Sequence, residues 1–164
     1  MAVKMNIKNG RVLRGEDNCF INADLYVEEG KIRAFEAGDE TKADYDANGL
    51  FVIPGFIDTH NHGCVDVEFA AADEDFEKAR RWLAGQGITG VAPTVRAMPL
   101  EDIEAAQKNI LREAGKTSRG AKICGIHLEG PYVSHNRAGA MVLPDMLCEP
   151  GECAGSPKAA KDCQ

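Results

Sequence analysis

The sequence predicts an α/β fold in which a small antiparallel β unit precedes the first βα repeats of a parallel architecture. Three observations carry this prediction. Over residues 1–50 the apolar positions recur with period two between turn residues. After Gly63 the period lengthens to about three and a half, the change from strand to helix. Two apolar stretches, at 52–63 and 125–132, end in histidines or a glutamate, and the C-terminal ends of parallel strands are where a barrel keeps its reactive face.

The elements follow in order. Val3, Met5 and Ile7 alternate, Asn9-Gly10 is a hairpin-turn signal, and Val12-Leu13 resumes the apolar pattern. Residues 23–27 and 31–35 flank Glu28, Glu29 and Gly30, which predicts a second hairpin with glycine in the tight position. Polar residues over 36–48 lead into the stretch VIPGFIDTHNHG at 52–63. Val52, Phe56 and Ile57 predict a buried strand there, and alternate strand side chains share a face, so Asp58, His60 and His62 point the same way. Two imidazoles so placed can grip one metal ion. Alone the H-x-H is weak evidence, since histidines near a strand end are often surface or hydrogen-bonded residues. Pro54 and Gly55 break the ladder before the pair, Asp58 adds a carboxylate, and Gly63 frees the backbone after it, all of which strengthens the metal reading.

Beyond Gly63, Asp73 is placed to cap a helix whose inward stripe is Phe76, Ala79 and Leu83, with Gly85 and Gly87 ending it. A second apolar segment at 88–93 runs on into Thr94 and Val95. A second helix presents Ile103, Ala106, Ile110 and Leu111 on one face and closes at Gly115. A third apolar segment at 123–128 completes a β-α-β-α-β series, whose helix-length connections imply parallel pairing and right-handed crossovers. At its end, in GIHLEGPY, His127 and Glu129 share a face while Leu128 packs outward against helices. If the first and third strands end on one rim, Glu129 reaches a metal held by His60 and His62. The competing reading is a carboxylate that caps the next turn or pairs with a surface base. His127 reads as a supporting or structural residue rather than a ligand, and His135 as a solvated loop residue.

Composition sets the outer bounds. With 164 residues, 27% of them charged and 44% apolar, the chain has the profile of a soluble globular protein. Acidic residues outnumber basic ones 26 to 19, for a net charge of -7, and the longest basic cluster is the pair Arg80-Arg81. That balance argues against a nucleic-acid partner. No apolar leader or bilayer-length segment occurs, which argues against a membrane partner and makes the cytoplasm the expected location. The six cysteines lack both a secretion signal and a C-x-x-C pair, so reduced thiols are expected; Cys64 alone follows the histidines closely enough to meet a metal.

The chain resembles the amidohydrolase superfamily and, within it, the N-acetylglucosamine-6-phosphate deacetylases. The resemblance rests on PGFIDTHNHG at 54–63, GITGVAPTV at 87–95 and GIHLEGPYVS at 125–134, and covers roughly residues 3–145. It implies a small, sandwich-like β domain over 1–50, the first three βα units of a metal-dependent (β/α)8 barrel over 51–145, and an irregular tail over 146–164. It implies that His60, His62 and Glu129 bind a divalent zinc, iron or manganese ion, with Glu129 in place of the carboxylated lysine of many relatives. Gly139 and Ala140 match the loop that touches the amino-sugar phosphate, followed by Met141 where the family has His or Gln. The implied reaction releases acetate and glucosamine 6-phosphate from a phosphorylated amino sugar, in an enzyme compatible with a homo-oligomer in complete form. A barrel of eight strands needs about 250 residues, so the expectation is an N-terminal portion, inactive alone, whose catalytic aspartate and later histidines fall beyond Gln164. Two other readings stand beside it. One is a cyclic-amide hydrolase, disfavoured because those enzymes typically carry lysine where this chain has Glu129. The other is a non-catalytic fragment that binds metal or a partner through open sheet edges.

Overall fold

The computed structural model describes residues 4–34 and 43–133; His135, Gly139, Ala140, Met141 and the tail from 146 lie outside the described residues. The chain divides into two compact units, Met1–Pro54 and Gly55–Gln164.

The first unit is a sheet of five strands: β1 (Lys4–Arg14), β2 (Cys19–Glu28), β3 (Lys31–Ala34), β4 (Tyr45–Asp46) and β5 (Phe51–Val52). Antiparallel pairs join β1 to β2 and β2 to β3, while β4 and β5 lie parallel to β1. Val12, Ala23 and Leu25 form its core, with Ile7, Ile21 and Val52 packed against them. Glu29 and Gly30 turn the second hairpin with φ of 53° and 72°, the paired left-handed conformation that suits the twist of the flanking strands. Asn9-Gly10 does not turn the chain. It lies inside β1 as a bulge, where the register with β2 shifts between Ile7 and Gly10. Distant partners satisfy the extra residue, since Asn9 donates its backbone N–H to Asp24 Oδ1 and its side-chain Nδ2 to Asp46 Oδ1, each at 2.9 Å. A left-handed Asn with such acceptors bends a strand instead of reversing it.

Val52 also departs from expectation. It pairs with Val12 in the first unit, and the next strand starts only at Phe56, after the Pro54-Gly55 break.

The second unit holds β6 (Phe56–Asn61), the small antiparallel hairpin of β7 (Gly63–Cys64) and β8 (Val67–Glu68), α1 (Glu77–Gly85), β9 (Ile88–Arg96), α2 (Leu100–Ala114), β10 (Lys122–Ile123) and β11 (His127–Glu129). Strand β9 is central, and β6, β10 and β11 all pair with it in parallel. The third apolar segment is therefore two short strands, not one, and the register against β9 slips by one residue between them. Phe69, Phe76, Ala79, Leu83, Val91, Val95, Ala106 and Ile110 make up most of the core between sheet and helices.

Helix α1 buries the stripe Phe76, Ala79 and Leu83. Its start is held by Asp75 and not by Asp73, since Glu77 N–H donates to Asp75 Oδ1 at 2.8 Å, and Phe76 N–H donates to the buried Glu113 carboxylate of α2 at 3.2 Å. Arg80, also buried, donates from Nε to Ala121 O at 2.8 Å and from its guanidinium to Glu113 O at 3.1 Å. Helix α2 buries Ile103, Ala106 and Ile110, but Leu111 is 64% exposed, because the next residue of a helix sits about 100° round from Ile110. Phe56 and Ile57 are 59% and 66% exposed and Leu128 is 47% exposed, against the expectation of a buried strand and an outward-packed leucine. The reason is topological. Among the described residues, β6 and β11 each bond to β9 on one side and to no strand on the other.

Candidate metal centre

Three elements converge at one end of this sheet. Strand β6 carries His60, the chain continues through Asn61 to His62, and β11 ends in Glu129. Strand β9 separates the two strands that carry these side chains, with His127 in register with Thr94 and Glu129 with Arg96. The backbone then turns sharply on both sides. Gly63 has φ of 135° and a Cβ there would lie 2.0 Å from Val67 O; Gly130 has φ of 125° and its Cβ would lie 2.8 Å from Ala97 Cβ. Both positions require glycine, and each fixes where the preceding ligand side chain leaves the backbone.

The donor atoms are close together. His62 Nε2 lies 3.0 Å and His60 Nε2 3.5 Å from Glu129 Oε2, and the two imidazole Nε2 atoms are 3.3 Å apart. Among the described residues, His60, His62 and Glu129 are the group able to hold a metal ion, and all three remain partly open to solvent. Ligands about 2.0–2.1 Å from a tetrahedral zinc stand about 3.3 Å from one another. The observed spacings fit such a shell with three corners filled. Two nitrogens and a carboxylate suit zinc, iron and manganese alike.

The other candidates fall into supporting places. Asp58 turns back on its own strand, accepting from Asn61 Nδ2 at 2.8 Å and from His60 N–H at 3.2 Å. Asn61 Oδ1 accepts from Gly63 N–H at 2.9 Å. His127 meets Thr94 Oγ1 through Nδ1 at 3.2 Å, and its ring centroid lies 4.5 Å from that of His60. Cys64 does not join the ligands; its Sγ faces Ala79 O at 3.9 Å, and burial pushes its thiol pKa up. Sequence reasoning passed over Thr94. Its only signal was a hydroxyl within the apolar run VAPTV.

N-acetylglucosamine-6-phosphate deacetylase from Bos taurus is 34% identical over 149 residues, which is 85% of this chain and 36% of that protein. The chain is a homologue of these deacetylases. It spans little more than a third of the length of the curated relatives it matches. N-acetylgalactosamine-6-phosphate deacetylase from Escherichia coli O157:H7 is 31% identical over 136 residues, 82% of this chain and 36% of that protein. Among solved structures, the N-acetylglucosamine-6-phosphate deacetylase of Pasteurella multocida superposes with a TM-score of 0.67 at 22% identity, covering 88% of this chain and 40% of its own. A variant of the Mycobacterium smegmatis enzyme, solved with N-acetyl-D-glucosamine-6-phosphate, gives 0.66 at 25% identity, covering 96% and 41%. A D-hydantoinase gives 0.56 at 26%, covering 80% and 28%. No protein-family model matches the chain.

Proposed function

We propose that this chain supplies the metal-binding rim of a cytoplasmic N-acetylglucosamine-6-phosphate deacetylase. In this reading residues 1–50 are an accessory β domain, 51–145 the first three βα units of a (β/α)8 barrel, and 146–164 an irregular tail. The observation that supports it most is the triangle of His60, His62 and Glu129 donor atoms, with edges of 3.0, 3.3 and 3.5 Å, at one end of a parallel sheet. Three protein ligands around a tetrahedral ion leave one corner for water or substrate, the pattern of a catalytic rather than a structural site.

His60 and His62 would hold the ion as neutral donors, and Glu129 would offset one of its two positive charges. A divalent ion so held lowers the pKa of its bound water from about 15.7 towards 7 and polarises an amide carbonyl. The described carboxylates near the site are committed elsewhere: Asp58 to Asn61 and His60, and Glu68 to Arg96. Proton transfer to the leaving amine then falls to an aspartate outside the described residues, as the resemblance implies. Gly139 and Ala140 would contact the sugar phosphate, and Met141 in place of His or Gln alters that contact. The homologous galactosamine enzyme makes the 4-epimer the competing substrate. The hydantoinase reading is weaker, because Glu129 stands where such enzymes typically carry lysine.

The test is acetate release from N-acetylglucosamine 6-phosphate and its galactosamine epimer, with zinc, iron(II) or manganese, alongside bound metal by elemental analysis. The 164-residue chain is expected to bind metal through all three ligands but to release no more acetate than Glu129→Gln, because general acid-base catalysis is worth about 100- to 10,000-fold. Unchanged metal content in His60→Ala, His62→Ala and Glu129→Gln would remove the site. Turnover clearly above the Glu129→Gln control would mean that a residue present here performs the proton transfer.

A further inference from the structure

The candidate ligands of the metal centre come from two strands that do not pair with each other. His60 belongs to β6 and Glu129 to β11, and each strand pairs only with β9 among the described residues. Their separation is therefore set through β9. One side chain of that strand bonds to both: Thr94, which is fully buried. Its Oγ1 accepts the backbone N–H of Asn61, the residue between the two histidines, at 2.9 Å, and lies 3.2 Å from Nδ1 of His127, two residues before Glu129.

We propose that Thr94 is the positioning residue of the metal centre, tying the histidine pair to the glutamate strand through one hydroxyl. The inference rests on the metal reading given above. A hydroxyl has one hydrogen to donate and two lone pairs. Asn61 N–H occupies one lone pair. A buried O–H needs an acceptor, and among the described residues His127 Nδ1 is the one within hydrogen-bond distance, so that His127 receives the bond and its ring is held at a tilt of 50° beside His60. His127 thereby acts through orientation, packed at 4.5 Å between centroids against the His60 ring. Asn61 is pinned at its N–H by Thr94 while its side chain bonds Asp58 and Gly63, which fixes the backbone on both sides of the two ligands. Removing the hydroxyl frees both ends together.

The experiment uses cobalt(II) as the probe ion and the full 164-residue chain, reading the affinity and the visible d–d spectrum of the bound ion. Thr94→Val keeps the shape and loses the hydroxyl, whereas Thr94→Ser keeps the hydroxyl. Groups that orient metal ligands typically change affinity about 10- to 100-fold when lost, so Thr94→Val is expected to bind cobalt at least tenfold more weakly with a changed spectrum. Thr94→Ser should restore both towards the parent. Far-UV circular dichroism establishes that each variant is folded. If Thr94→Val does not fold, His127→Gln decides instead: the same weakening supports the tie, and parent-like binding and spectrum overturn it. Parent-like cobalt binding in folded Thr94→Val overturns it directly, as does a Thr94→Ser variant as impaired as Thr94→Val. His60→Ala is the separate control. If it retains the cobalt spectrum the metal reading itself has failed, whereas loss of cobalt in His60→Ala with no effect in Thr94→Val refutes only the positioning role.

Discussion

Asp17 closes the connection between β1 and β2 by accepting hydrogen bonds from the Arg14 guanidinium and, at 3.2 Å, from Cys19 N–H. The Arg14 side chain, first, and the Cys19 amide, second, hold its carboxyl down to about 2. A folded-state pKa below the unfolded value of about 3.9 contributes stability that is present above that unfolded value. It is lost as pH falls from there through the folded value. The expected result is an Asp17 carboxyl that titrates near 2 by NMR. The thermal stability gap between the parent and Asp17→Asn should close on the same acid side, while a gap that persists at lower pH would mean that shape, not charge, matters at this turn. At the site, residue chemistry was the most readable feature. His60, His62 and Glu129 were marked by type and by position at strand ends, and their donor atoms lie within 4.8 Å of one another. Asp58 was marked by the same face rule yet turns onto Asn61, because a short carboxylate next to free backbone N–H groups bonds locally.

At the scale of elements, periodicity located both helices but blurred their edges. Ile110 and Leu111 are chemically alike and adjacent, and only the packing separates them: one is fully buried and the other faces solvent. Ile110→Ala is expected to destabilise the second unit by about 2–5 kcal/mol, and Leu111→Ala by less than about 0.5 kcal/mol, both read from urea unfolding. Equal effects would contradict the orientation of α2. The start of α1 was readable only in part from local signals. Asp75 accepts Glu77 N–H locally, but Phe76 N–H is met by Glu113, 37 residues away, and such a partner leaves no trace in a four-residue window. Asn9-Gly10 failed in the same way, since the pair fits a hairpin turn and a bulge equally well until Asp24 and Asp46 supply the acceptors.

At the scale of the molecule, the consequential feature is the pair of strands with one open side. Among the described residues β6 shows an unpaired edge beside exposed Phe56 and Ile57, and β11 another beside Leu128. Open apolar edges template pairing with further chains. Sedimentation of the 164-residue chain is expected to show concentration-dependent assemblies, and Ile57→Lys to shift them towards monomer. A single monomeric species for the parent at all concentrations would show that these edges are protected.

The sequence by itself determined the class of the fold and the chemistry of the site, because both are written in short-range terms. Period two or three and a half selects strand or helix, and side-chain type at a strand end selects His60, His62 and Glu129 as the candidate ligands. Only the tertiary structure decided which strands lie side by side, that Val52 belongs with β1 and not with β6, and that Thr94 bridges two ligand strands. The placing of Val52 and the Thr94 bridge depend on partners 33 or more residues apart. Contacts of that range form only when the whole unit packs, so no local pattern encodes them.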